Sequence, residues 1–92
     1  MKIRLEGYID IPADRMETVL AALPEHIRLT RAESGCISFE VTPSADVAGR
    51  YEVAEVFTNR ASFDAHQIRA KSSKWAQVSQ DIPRSYRIEE IE

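Results

Sequence analysis

The chain opens on an alternation: Ile3, Leu5, Ile9 and Ile11 are interleaved with Arg4, Glu6, Tyr8 and Asp10. A period of two sends successive side chains to opposite faces, so this segment predicts a strand with one buried face. Gly7 falls on the apolar side, where a glycine serves a bulge or the close approach of a backbone or ligand. Pro12 ends the strand, and the period then changes. Met16, Val19, Leu20, Leu23 and Ile27 recur at helical spacing, preceded by Asp14 and Glu17 at capping-box spacing. They predict a helix from about Asp14 to Glu33. Pro24 removes one backbone hydrogen bond and crowds the Leu20 carbonyl, so a kink is expected there. Ser34 and Gly35 stop the helix, with Gly35 as a left-handed cap.

A second strand is predicted from Cys36 to Thr42, with Ile37, Phe39 and Val41 on one face. Pro43 to Gly49 has the composition of a loop. The third strand, Arg50 to Thr58, places Tyr51, Val53, Glu55 and Phe57 on one side and Ala54 and Val56 on the other. Two largely apolar faces mark a central strand. Asn59 can cap a helix carrying Phe63, His66 and Gln67, and a further helical stretch runs around Ser72 to Ser79. Asp81-Ile82-Pro83 breaks it, and Tyr86, Ile88 and Ile91 lie in a last strand. The order βαββαβ predicts an α+β, ferredoxin-like fold. Its sheet would have four antiparallel strands in the order 4-1-3-2, with helices on one face.

At 92 residues the chain is read as one domain, 1–92, with a thin core that a second copy would help to cover. A net charge of −3, with Lys and Arg scattered among acids, argues against nucleic acid as a partner. No run approaches the roughly 20 apolar residues of a membrane span. The start, Met1-Lys2-Ile3-Arg4, has no apolar signal core, and one cysteine gives no disulfide framework. A cytoplasmic location is therefore expected. Cys36 reads as a small core residue rather than a nucleophile. No metal centre is predicted, since His26 and His66 are far apart in sequence and Cys36 stands alone.

Two residues rise above this background. Glu55 is a carboxylate on an otherwise apolar face of the central strand, and burying it unpaired would cost several kcal/mol. His66 lies three positions after Phe63, on the same helical face, and so should turn inward. A carboxylate and an imidazole facing one pocket are acid/base material; paired with each other they could equally serve only to orient the helix. His26, beside Glu25, reads as a surface residue, Arg69, Lys71 and Lys74 as an exposed helix rim, and Tyr8 and Tyr86 as packing at the sheet surface.

Taken together, Arg31-Ala-Glu-Ser-Gly-Cys36, Tyr51-Glu-Val-Ala-Glu-Val-Phe57, Phe63-Asp-Ala-His66 and Trp75 resemble the antibiotic biosynthesis monooxygenase family, over nearly the whole chain. The resemblance implies a dimeric α+β barrel, in which the sheets of two copies pack face to face, and a cavity between each sheet and its own helices. It implies a monooxygenase that uses no cofactor and acts on a small aromatic such as a quinol or polyketide. By position, His66 and Glu55 would be catalytic, and Phe39, Phe57, Trp75 and Lys71 would contact the substrate. An enolising isomerase acting on a small anion, or a dimeric module that only binds a small ligand, are the alternatives. Haem-degrading relatives carry an asparagine near Gly7, a tryptophan at His66 and an iron-ligating histidine near Lys74–Ala76. This chain has none of these, which sets haem degradation aside.

Overall fold

The computed structural model describes residues 1–92. The elements run β1 (Lys2–Asp10), a turn of 3-10 helix (Ala13–Arg15), α1 (Met16–Arg31), β2 (Cys36–Pro43), β3 (Arg50–Phe57), α2 (Arg60–Lys71), α3 (Lys74–Val78) and β4 (Arg84–Ile91). The four strands are antiparallel in the order β2-β3-β1-β4, the order that the sequence predicts. Ile3, Leu5 and Ile9 of β1 and Val53, Glu55 and Phe57 of β3 are buried on the helix-covered face. Their neighbours Arg4, Glu6 and Tyr8 share the opposite face with Glu52 and Ala54.

The sheet is not closed into a barrel, which corrects the dimeric α+β barrel implied by the family resemblance. β2 and β4 stand at opposite ends of the strand order and do not pair with one another. Closure requires the two outer strands to hydrogen-bond, and here both are edges.

The buried face of α1 is the series Val19, Leu23, His26 and Thr30, spaced by four, three and four residues. The helix runs unbroken through Pro24. Its first turn departs from the expected capping box: the chain enters through Pro12 and the 3-10 turn, without a side-chain cap. The Asn59 side chain accepts from the Ser62 N–H at 2.8 Å and caps α2 as predicted. Ser73 caps α3 in the same way through the Ala76 N–H. These caps satisfy backbone donors that have no partner inside the first helical turn.

Gly7 is required by close approach: a Cβ there would overlap the Ser85 carbonyl oxygen on β4. Gly35 is not the left-handed cap that the sequence suggested, because Gly49 is the glycine at positive φ. A Cβ at Gly35 would instead strike the Ser62 side chain at the start of α2. The expected inward face of β2 is corrected at one position. A register shift between Cys36 and Ser38 inserts an extra residue, and Ile37 turns outward with 50% exposure. A bulge of this kind reverses side-chain parity, so Phe39 remains inside.

The core divides into two clusters. Ile3, Leu5, Val53, Phe57 and Phe63 form one, and Ile9, Ile11, Val19 and Ile82 form the other. No helix is long and apolar enough to cross a membrane.

Candidate functional site

A cavity of about 450 Å³ opens between the sheet and the helices and touches both core clusters, through Leu5 and Ile82. Strands β1, β3 and β4 supply Leu5, Glu55, Arg84 and Tyr86 to its wall. The helices supply His26 from α1, His66, Gln67 and Lys71 from α2, and Trp75 from α3. Three of the four strands and all three α-helices thus contribute to the wall, and ionisable groups converge from α1, α2, β3 and β4.

His66 is 3% exposed. Its Nδ1 lies 2.9 Å from Oε1 of Glu33, in the turn after α1. The other Glu33 oxygen accepts from Arg69 Nε at 2.8 Å, and the same guanidinium donates to Thr30 Oγ1 at 2.9 Å. This chain of hydrogen bonds links α1 to α2 and fixes the imidazole ring. With a carboxylate at Nδ1, the proton of the neutral ring belongs there, which leaves Nε2 as an acceptor. Nε2 points toward Glu55, whose Oε1 is 3.8 Å away. That separation is too long for a hydrogen bond.

Burial decides the charge states. Desolvation lowers the His66 pKa and outweighs the hydrogen bond and charge of Glu33, which act the other way, while Arg69 adds to the lowering. Glu55 is 7% exposed, and desolvation, aided by the Glu33 charge, pushes its pKa up to about 7. Its Oε1 is buried without a hydrogen-bond partner. At neutral pH the site therefore holds a neutral imidazole acceptor beside a carboxyl group near half-protonation.

Of the residues singled out in the sequence, His66, Glu55, Trp75 and Lys71 line this cavity. Phe39 and Phe57 do not; both are buried behind it, with ring centroids 6.0 and 4.9 Å from His66. They shape the pocket indirectly, by packing the imidazole. Arg69 is not the free rim residue that was expected, since it pairs with Glu33. His26, read from the sequence as a surface residue, is buried in the cavity wall and stacks on Trp75 at 5.1 Å. The signal for it was present: His26 follows Leu23 by three residues and Val19 by seven, on the apolar stripe of α1. The role of Glu33 had no such signal, because a turn residue reveals no facing direction through periodicity.

Tyr8 lies on the opposite sheet face, with the Arg50 guanidinium 3.6 Å above its ring. Tyr86 lines the cavity from the edge strand. Cys36 packs against the first core cluster, and burial pushes its thiol pKa up, as befits a small core residue.

Comparison with known proteins supplies the wider context. Residues 3–78 match the family model described as antibiotic biosynthesis monooxygenase. A candidate antibiotic biosynthesis monooxygenase from Nitrosomonas europaea superposes with a TM-score of 0.82 at 24% identity, covering 98% of this chain and 97% of that one. A second candidate, from Deinococcus radiodurans, gives 0.78 at 15% identity, with 98% and 92% covered. A protein from Shewanella oneidensis is 26% identical with a TM-score of 0.72, over 96% of this chain and 86% of that one. No curated protein matches. With the family model spanning most of the sequence, the chain belongs to the antibiotic biosynthesis monooxygenase family.

Proposed function

We propose that the cavity is the active site of a cofactor-independent monooxygenase acting on a small aromatic of the quinol or polyketide type. The observation that carries this reading is the buried His66, fixed through Nδ1 by Glu33 and directed through a free Nε2 at an unpartnered Glu55. Such an imidazole can take a proton from a phenolic O–H, or from a C–H made acidic by a neighbouring carbonyl and ring. The resulting carbanion or phenolate is electron-rich enough to reduce dioxygen bound beside it in the cavity. Radical recombination forms the C–O bond of a hydroperoxide. Loss of water then converts the substrate CH₂ to a carbonyl: R₂CH₂ + O₂ gives R₂C=O + H₂O. The substrate carbon supplies all four electrons, so no external reductant enters. Glu55, near half-protonation at neutral pH, can return a proton to the departing hydroxide.

Trp75 would hold the aromatic ring, with Phe39 and Phe57 stiffening the wall behind His66. Lys71 and Arg84 at the cavity wall would favour an anionic or phenolate form of the substrate. The same two cations support a second reading, an isomerase that enolises a small anion with His66 as proton shuttle. Oxygen uptake separates the two. With a panel of hydroquinones and anthrones, the wild type should consume oxygen faster than buffer, and His66→Ala should not. If no panel member is consumed above the buffer rate, the oxygenase reading is lost; turnover that is indifferent to oxygen would favour the isomerase.

A homodimer formed through the uncovered sheet face belongs to this proposal. Ala54 and Val56 lie there among charged neighbours. Light scattering should give the mass of two chains at micromolar concentration, and the mass of one chain would overturn it.

A further inference from the structure

His26 is a buried ionisable group that the chemistry proposed for His66 leaves unused. It is 6% exposed and lines the same cavity as His66 and Glu55. Its ring lies flat against Trp75, with centroids 5.1 Å apart and planes within 9°. The edge contact with Phe39 is 5.4 Å, and the ring centre is 6.1 Å from that of His66. Two aromatic contacts nearly at right angles lock the orientation of the imidazole. An apolar ring of similar shape would satisfy both contacts equally well.

The imidazole instead carries a cost. Its Nδ1 is buried with no hydrogen-bond partner. A sealed N–H without an acceptor is more costly than a sealed lone pair, so the proton of the neutral ring belongs on Nε2. Desolvation holds the His26 pKa down to about 4, with Arg69 and His66 contributing, and the ring stays neutral throughout the physiological range. The cavity wall thus holds two neutral imidazoles of opposite character: His66 with a free acceptor, and His26 with a free donor.

We propose that His26 is a second substrate-binding residue, donating a hydrogen bond to an oxygen of the substrate other than the one deprotonated at His66. The site then selects aromatics bearing two oxygens over those bearing one. The two ring centroids lie 6.1 Å apart, close enough for both imidazoles to reach one bound ring. This role deepens the oxygenase reading of the same cavity and rests on it for the identity of the reaction.

The test uses 1,4-naphthalenediol, with two ring oxygens, and 1-naphthol, with one, titrated calorimetrically into the protein under argon. Wild type should bind the diol about tenfold more tightly, the worth of one hydrogen bond. His26→Phe, which keeps the stack on Trp75, should bind both equally, and His26→Gln, which keeps an amide donor, should recover part of the preference. Circular dichroism and melting of each variant show whether it is folded. The chain has two histidines, so the imidazole ¹⁵N resonances can be assigned with His66→Gln. Those of His26 should move with the diol and stay with the naphthol. No preference in the wild type, or the same preference in a folded His26→Phe, overturns the role. If the diol preference depends on His26 while wild type consumes no oxygen, the oxygenase reading fails and the binding role stands. If the diol is oxidised while His26→Phe keeps the preference, the opposite holds.

Discussion

The two faces of the sheet carry the same kinds of residue in opposite electrical states. On the uncovered face, Arg50 pairs with Asp10 at 2.7 Å, Arg4 with Glu89 at 3.4 Å and Arg87 with Glu6 at 3.4 Å. The hydrogen bond from Arg50 holds the Asp10 carboxyl below its usual range and pushes the guanidinium up. Pairing there makes Asp10 and Arg50 better ions. On the helix-covered face, desolvation drives His26 and His66 down and Glu55 up, toward neutrality. Groups that ionise reluctantly can exchange protons near neutral pH, whereas a permanently charged pair cannot. On the proposed reading, reactivity would come from withdrawing ionisable groups from water faster than pairing can hold them charged.

The contrast can be broken most severely at His66. His66→Ala removes the acceptor from the covered face and should lower oxygen uptake by about 10²–10⁴-fold, the usual worth of a general base. A variant that keeps wild-type uptake would move the chemistry elsewhere in the cavity.

Glu55→Gln tests the cost of the buried carboxyl. Its folded pKa, about 7, is raised from 4.5, so the unfolded chain ionises first as pH rises. Stability associated with the protonated group is fully present below pH 4.5 and is lost as pH climbs through 7. Glutamine cannot ionise, so Glu55→Gln should flatten that limb and gain on the order of 3 kcal/mol above pH 7. Urea unfolding at pH 4.5, 6 and 8 reads this directly; equal pH dependence in both proteins would show that Glu55 ionises freely when folded.

His26 sharpens the comparison from the acid side. Its folded pKa lies at about 4, below the ordinary 6.5, so the unfolded chain takes up the proton first as pH falls. The stability it contributes is complete above pH 6.5 and is lost between 6.5 and 4. Trp75, the only tryptophan, stacks on this ring and reports on it. Its fluorescence should be quenched as the imidazole becomes charged near pH 4, and His26→Phe should abolish the step. A midpoint near 6.5 would place the ring in water.

The smallest effect belongs to the uncovered face. Asp10→Asn breaks the ion pair with Arg50, whose groups are solvated in the single chain, and at concentrations below those at which the proposed homodimer forms stability should change little. Whatever change appears should vanish in high salt, as thermal melts at two ionic strengths would show. A large, salt-resistant loss would mean that this face is covered in solution.

Much of the covered face was legible in the pattern of residues. Alternation in β1 and β3 assigns Leu5, Val53, Glu55 and Phe57 to one side, and the three-residue step from Phe63 turns His66 toward them. Local rules failed where a contact bridges distant segments. Ile37 was misplaced by a bulge, and Gly35 proved to answer to Ser62 rather than to its own helix. His26 was misread because a polar neighbour, Glu25, outweighed the apolar stripe on which it lies.

By itself, then, the sequence determined the element order, the strand order, the burial of Glu55 and His66, and the family, because these follow from backbone periodicity and short motifs. The tertiary structure decided that the sheet is open, that Glu33 rather than Glu55 fixes His66, and that His26 joins the cavity. It also decided that desolvation outweighs pairing. Periodicity states which way a side chain faces along one element. Charge state depends on what several elements, far apart in sequence, bring within a few ångströms of it.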